Sequence, residues 1–171
     1  MNLPVHNIIH STTNGPGNRI VIWVQGCSLN CKGCFNPETH ETGGASIISV
    51  ADLANMVNND DSIEGITISG GEPLDYPIEL TRFLENIKPN LTKIAYSGYS
   101  IKEISKDILK KSVIKNVDLA IVGRFNKKFA HPYLGKKFLD VSGKIDLSYF
   151  KLKTTIEYSI NKHNITKTGI F

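Results

Sequence analysis

The feature that most constrains the fold of this 171-residue chain is the alternation of short β-rich runs with amphipathic helical patterns. Strands are predicted at 19–24, 66–69, 94–97 and 117–122, where β-branched residues are concentrated. Because the connections are short and carry helical patterns, right-handed crossovers and a parallel sheet are expected. So few units cannot close an eight-stranded barrel. The predicted fold class is therefore α/β, a partial, open β/α barrel with one flank uncovered.

Helices are predicted between these strands from capping residues and apolar spacing. One begins after the N-cap Ser49, and another lies between Pro77 and Pro89. Ser100 and Glu103 form a capping box for a further helix. The spacing of its apolar residues predicts that three isoleucines are buried: Ile101, Ile104 and Ile108.

The composition is ordinary for a globular protein, with 40% hydrophobic and 21% charged residues. We expect a single domain over 1–171, with a core at about 7–124 and a C-terminal extension over about 125–171. The runs 154–160 and 165–170 are predicted to pair as a β-hairpin that ends the extension.

The charge pattern and the N-terminal segment limit which partners and which cellular compartment are expected. The formal net charge is +4, and basic residues occur in scattered pairs such as Lys136 and Lys137. Such pairs are typical of solvated surface, so no direct nucleic-acid binding is expected. Residues 1–11 lack the pattern of a signal peptide, and the apolar run 20–24 is far too short to cross a membrane. We therefore expect a cytoplasmic protein.

Three cysteines, the whole cysteine content of the chain, lie in one turn-rich loop as Cys27-x-x-x-Cys31-x-x-Cys34. An odd number in a reducing compartment argues against a disulfide framework. Three thiolates at this spacing can hold a [4Fe-4S] cluster and leave one iron open to another ligand, since full protein ligation takes four cysteines. The alternative is a structural zinc site with His40 as the fourth ligand.

The unusual residues of the chain follow the predicted strands in every case. In parallel α/β folds the carboxyl ends of the strands meet at one edge of the sheet, where reactive groups gather. Four loops are thus expected to form one site: the cysteine loop, Gly70-Gly71-Glu72-Pro73, Ser97-Gly98-Tyr99 and Gly123-Arg124-Phe125.

Two stretches carry a family resemblance: Asn14-Gly15-Pro16-Gly17-Asn18-Arg19, and the segment with Gly26, Cys27, Cys31, Cys34, Phe35 and Asn36. Together with the following strands they resemble the radical S-adenosylmethionine activating enzymes. The resemblance extends over about 7–124. It is strongest to the activating proteins of anaerobic ribonucleotide reductase and includes the pyruvate formate-lyase activating enzymes.

The resemblance implies roles for individual residues. Cys27, Cys31 and Cys34 would bind a [4Fe-4S] cluster and so carry the catalysis. The stretch Ser69-Gly70-Gly71-Glu72-Pro73 would hold the amino group of S-adenosylmethionine. Further contacts with this cofactor are implied for Phe35, which would lie near the adenine, and for Asn36, Ser97 and Tyr99. Tyr99 could equally be a packed residue whose hydroxyl is satisfied within the protein.

The function that the resemblance implies is that of an activase. An electron donor such as flavodoxin or ferredoxin would reduce the cluster, and cleavage of S-adenosylmethionine would yield a 5′-deoxyadenosyl radical. That radical would abstract hydrogen from a glycine of a partner glycyl radical enzyme, such as anaerobic ribonucleotide reductase. Two departures from the family pattern, Val122 and the segment 135–144, leave open a radical enzyme that modifies a small molecule or peptide. A non-catalytic iron–sulfur or zinc protein is the further alternative.

Overall fold

The fold is built around one seven-stranded sheet. It is taken from a computed structural model that describes residues 1–129 and 135–151 and the backbone of 155–160 and 165–170. The strands of the sheet are β1 (Asn2–Ser11), β2 (Arg19–Val24), β3 (Ser46–Ser49), β4 (Gly65–Gly70), β5 (Thr92–Ser97), β6 (Leu119–Val122) and β7 (Lys137–Asp140). Their order across the sheet is β3-β1-β2-β4-β5-β6-β7.

The centre of the sheet is parallel and its margins are antiparallel. β2 pairs with β4, β4 with β5 and β5 with β6 in parallel, as the alternation of patterns predicts. β1 and β3 on one side and β7 on the other are antiparallel additions. Among the described strands, the order begins at β3 and ends at β7 with no pairing between these two, so the predicted open α/β architecture is confirmed.

The helices are α1 (Val50–Asn58), α2 (Pro77–Glu85), α3 (Ile101–Ser105) and α4 (Ile108–Lys115). The Ser49 side chain caps α1 by accepting from the backbone N–H of Asp52, and Ser100 and Glu103 form the predicted capping box of α3. The apolar faces of α1, α2 and α4 form one buried cluster with alternate residues of the parallel strands. A smaller cluster around Ile121 and Phe150 lies apart from it.

The prediction that α3 buries three isoleucines is wrong for two of them. Ile104 is buried, but Ile101 is 44% exposed and Ile108 is 71% exposed. The predicted helix ends at Ser105, and Asp107 then caps a second helix by accepting from the N–H groups of Leu109 and Lys110. This break rotates the apolar face, so a spacing that assumes one continuous helix fails at Ile108. Ile101 is the first residue of α3 and precedes the break, so the break does not explain its exposure.

The C-terminal hairpin prediction is confirmed for its strands. β8 (Thr155–Ile160) and β9 (Ile165–Ile170) pair antiparallel in a separate two-stranded sheet. The turn predicted at His163 and Asn164 lies outside the described residues. In the described part of the chain, no helix combines the length and the apolar character needed to span a membrane.

Candidate active site

The cysteine loop leaves the carboxyl end of β2 and is tied back to its own far end by backbone hydrogen bonds. The N–H of Gly26 donates to the carbonyl of Thr39 at 2.8 Å, and the N–H of Cys27 donates to the carbonyl of His40 at 3.1 Å. Inside the loop, the N–H of Cys34 donates to the carbonyl of Cys31 at 3.1 Å. The loop is therefore a closed ring whose conformation does not depend on a disulfide.

The Gln25 side chain strengthens this closure. Its amide donates to the carbonyl of Glu38 at 3.0 Å and to that of Glu41 at 2.6 Å. On its other side, the Gln25 Oε1 atom bonds to Nδ1 of His6 at 2.7 Å. Because Gln25 is buried, these bonds hold the returning end of the loop in one position.

All three cysteines are free thiols and each is partly buried. Burial raises the pKa of Cys27 and the pKa of Cys34 above the ordinary value of 9.0. A thiol in such surroundings stays protonated until a cation stabilises its thiolate. Binding of a metal centre to these sulfurs would therefore release protons.

The four loops expected to converge line one cleft. Among the predicted site residues, eleven line it: Cys27, Cys31, Cys34, Phe35, Asn36, Ser69, Gly70, Gly71, Glu72, Pro73 and Ser97. The parallel order of β2, β4 and β5 is what brings these residues together.

Tyr99, the remaining predicted site residue, is not part of this lining. Its hydroxyl donates to Oδ1 of Asp75 at 2.8 Å and lies 3.1 Å from Oγ of Ser28. Asp75 also accepts from the N–H of Ser28 at 2.7 Å. Tyr99 thus holds the cysteine loop through Ser28 and Asp75, with its ring beside the cations of Lys110 and Arg124.

Glu72 joins the second loop to the third. Its Oε1 atom accepts from the N–H of Leu74 and from Oγ of Ser97, both at 2.8 Å, and its Oε2 atom accepts from the N–H of Gly98 at 2.6 Å. The carboxyl is almost completely buried, and burial raises its pKa from 4.5 to about 7 despite these three donors. Ser97 is therefore occupied with orienting Glu72.

Gly71 is the closest point between the first and second loops. Its N–H donates to the carbonyl of Val24 at 2.8 Å, and the next N–H, that of Glu72, donates to the carbonyl of Gly26 at 2.9 Å. A Cβ atom on Gly71 would overlap the carbonyl of Gly26 and would lie 2.9 Å from the carbonyl oxygen of Thr39. Glycine is needed here for close backbone approach.

The cleft also contains residues that the sequence did not place there. Lys136 is the main one: the Lys136–Lys137 pair was expected on the solvated surface, yet Lys136 lines the cleft. Its Nζ donates to the carbonyl of Gly123 at 2.5 Å, and burial lowers its pKa. It reaches the site because β7 pairs with β6, and a four-residue edge strand leaves no clear periodic signal.

The aromatic wall of the cleft is a pair of phenylalanines. Phe35 is 41% exposed, and the ring of Phe125 meets it edge to face with the centroids 5.7 Å apart. Phe125 follows the end of β6 within the fourth predicted loop, so its position at this edge was foreseeable. The pair forms an apolar surface beside the cysteines.

His40 also lines the cleft, and its Nε2 atom is buried without a hydrogen-bond partner in the described structure. Within the described residues, no three His, Cys, Asp or Glu side chains converge closely enough to hold a single metal ion. A cubane cluster presents its irons at separate corners, so its ligands need not converge on one point.

We predict that Gly71→Ala destabilises the protein by about 1–3 kcal/mol, since the new methyl group overlaps backbone atoms of the cysteine loop. The free energy of unfolding is measured in denaturant under anoxic, reducing conditions. Gly43→Ala is the matched control, because a Cβ there meets nothing within 4 Å. Equal stability of the two variants would contradict this account of the loop contact.

The raised pKa of Glu72 predicts a pH dependence of stability. Between its ordinary value of 4.5 and about 7, the folded chain retains a proton that the unfolded chain has lost. The free energy of unfolding should therefore fall as the pH rises through this interval. Glu72→Gln should flatten that slope, whereas Glu85→Gln, on the exposed part of α2, should preserve it. If the free energy of unfolding had the same slope against pH in wild type and Glu72→Gln, the assignment of this pH dependence to Glu72 would be refuted.

Comparison with known proteins places the chain in a family. The family described as "4Fe-4S single cluster domain" matches residues 13–140. The anaerobic ribonucleoside-triphosphate reductase-activating protein of Enterobacteria phage T4 is 32% identical over 123 residues, which cover 67% of this chain and 75% of that protein. The protein of the same name from Pasteurella multocida is 28% identical over 131 residues, covering 71% and 82%.

A third relative is more similar over a shorter stretch. The pyruvate formate-lyase-activating enzyme of Listeria monocytogenes serovar 1/2a is 38% identical over 84 residues, which cover 44% of this chain and 34% of that enzyme. The cofactors are a [4Fe-4S] cluster and S-adenosylmethionine. The chain thus belongs to the 4Fe-4S single cluster family and, within it, to the radical S-adenosylmethionine activating enzymes.

Proposed function

We propose that this chain is an activase that generates a glycyl radical on a partner enzyme of the anaerobic ribonucleotide reductase class. The observation that carries the proposal is the convergence of the cysteine loop, the Gly-Gly-Glu-Pro loop and the Ser97 loop on one cleft. The family relationship supplies the chemical class, and the names of the relatives supply the class of partner.

In this proposal Cys27, Cys31 and Cys34 hold the cluster. Three observations fit that role: the sulfurs are free, they line one cleft, and the loop is closed by its own backbone. The chain has no further cysteine, so one iron is left for the amino and carboxylate groups of S-adenosylmethionine. When bound, the reduced cluster supplies the electron that cleaves S-adenosylmethionine to methionine and a hydrogen-abstracting 5′-deoxyadenosyl radical.

The protein residues bind and orient the cofactor around that centre. A carboxylate offers about four acceptor positions, and three hydrogen bonds already reach Glu72. The remaining position, with the backbone of Gly70 and Gly71, suits the N–H groups of the cofactor's amino group. Phe35 and Phe125 offer an apolar wall for the adenine, and Asn36 adds an amide at the same edge.

Ser97 and Tyr99 act one step further from the cofactor. Ser97 orients the Glu72 carboxylate, and Tyr99 supports the cysteine loop through Asp75 and Ser28. Both are positioning residues in this proposal. Because each is hydrogen-bonded in place, the cleft is organised before the cofactor enters.

The wider setting is part of the same proposal. We take the chain as a single domain over 1–171, in which the extension from about 125 adds β7 to the sheet and Lys136 to the cleft. A flavodoxin or ferredoxin is the proposed electron donor. The cytoplasm is the proposed compartment, because its reducing conditions keep the three thiols available.

The test is turnover followed by radical transfer. The anoxically reconstituted protein, reduced with dithionite, should convert S-adenosylmethionine to 5′-deoxyadenosine and methionine, and Cys31→Ser should not. With an anaerobic ribonucleotide reductase added, paramagnetic resonance should detect a glycyl doublet. Absence of cleavage by the loaded protein would overturn the radical chemistry. Cleavage without the doublet would instead favour a small-molecule or peptide substrate.

We also predict that Lys136 binds the carboxylate of S-adenosylmethionine. It is the one Lys or Arg side chain among the described residues of the cleft, and its ammonium keeps two donors beyond the bond to Gly123. Loss of a hydrogen bond between charged groups costs about 1.5–3 kcal/mol. Lys136→Met should therefore raise KM for S-adenosylmethionine about 10- to 100-fold at similar kcat.

The control for this prediction is the neighbouring position. Lys137→Met removes the same charge from an exposed residue of β7 and should leave KM unchanged. An equal KM for Lys136→Met and wild type would exclude the contact. An equal rise in both variants would indicate a general charge effect.

A further inference from the structure

His40 carries a buried polar atom that the described structure leaves without a partner. Its Nε2 atom is inaccessible to solvent and makes no hydrogen bond, although the residue lines the cleft with the three cysteines. An unsatisfied buried polar atom costs about 1–3 kcal/mol. Native proteins have few such atoms, so each one calls for an explanation.

The position of His40 is determined by its backbone. Its N–H donates to the carbonyl of Pro37, and its carbonyl accepts from the N–H of Cys27, both at 3.1 Å. Gln25 binds the carbonyls of Glu38 and Glu41 on either side. His40 is therefore attached to the loop that presents the cysteines, and its backbone cannot turn away from the cleft without breaking these bonds.

We propose that Nε2–H of His40 donates a hydrogen bond to a sulfur atom of the bound iron–sulfur cluster and thereby sets the reduction potential of the cluster. The inference rests on the proposed function, because it takes Cys27, Cys31 and Cys34 as the ligands. In this proposal, the hydrogen-bond partner of His40 Nε2 is a sulfur atom that is present only when the cluster is bound. Hydrogen bonds to cluster sulfurs are a known determinant of cluster potential.

Hydrogen bonding is favoured over direct ligation for two reasons. Ligation by His40 would complete four protein ligands and leave no iron open for S-adenosylmethionine. In addition, the described His, Cys, Asp and Glu side chains do not converge in threes on a single ion, as a Cys3His zinc site would require. A hydrogen-bond donor needs only to contact one sulfur atom at the edge of the cluster, and it does not have to share a metal ion with the cysteines.

The sign of the effect follows from charge. Reduction adds an electron to the cluster, and a hydrogen-bond donor stabilises the more negative state. Loss of the donor should therefore lower the reduction potential. We expect His40→Phe, which retains a ring but no donor, to shift the one-electron reduction equilibrium about tenfold, equivalent to 59 mV.

The experiment uses the full chain, reconstituted with iron and sulfide without oxygen. Midpoint potentials are measured by redox titration followed by paramagnetic resonance, with iron and sulfide determined per chain. The variants are His40→Phe, His40→Gln, which restores a donor, and His10→Phe as control. His10 pairs with Asp60 and lies opposite Ile20, at the end of β2 remote from the cysteine loop.

The expected result is a lower potential for His40→Phe at normal iron content, with His40→Gln nearer to wild type and His10→Phe unchanged. An unchanged potential in a fully loaded His40→Phe protein overturns the inference. Loss of the cluster from both His40 variants also overturns it, in favour of ligation. Failure of the wild-type chain to hold a cluster would instead refute the proposed function, so the two failures are distinguishable.

Discussion

The site depends on the parallel pairing of β2 with β4 and on the continuation of that contact past the ends of the strands. Val24 lies opposite Gly70, and the N–H groups of Gly71 and Glu72 then bond to the carbonyls of Val24 and Gly26. The loop with the cysteines and the loop with Glu72 therefore leave the sheet as one hydrogen-bonded unit. The absence of a side chain at Gly71 allows this approach.

The Glu72 carboxyl connects the second loop to the third through its hydrogen bonds with Ser97 and Gly98. A carboxyl buried to this degree is costly to ionise, and the three donors around it offset only part of the penalty. Its surroundings are nonetheless suited to a cationic ligand, because a nearby positive charge favours the ionised form. The same cleft contains the ammonium of Lys136.

Elements with strong local signals were predictable from the sequence. The parallel strands, the caps at Ser49 and Ser100 and the cysteine loop depend on neighbouring residues, and all lie where expected. The strands at the margins were missed. β1 contains Pro4 and a register shift between Val5 and Asn7, which interrupts the alternation that marks a strand. β3 and β7 have four residues each, too few for a periodic pattern.

By itself, the sequence determined the α/β class and the spacing of three cysteines in one loop, because strand patterns and that spacing are local. The predicted site residues, eleven of which line the cleft, were implied by the family resemblance, and the parallel strand order brings them together. Only the tertiary structure decided the roles that depend on distant contacts. It directed Tyr99 to Asp75 and Ser28 and brought Lys136 into the cleft through the pairing of β7 with β6. Among the described residues, it left Nε2 of His40, a residue of the same cleft, without a hydrogen-bond partner. The physical reason is that edge pairing and burial arise from long-range packing, which leaves no periodic trace in the residues concerned.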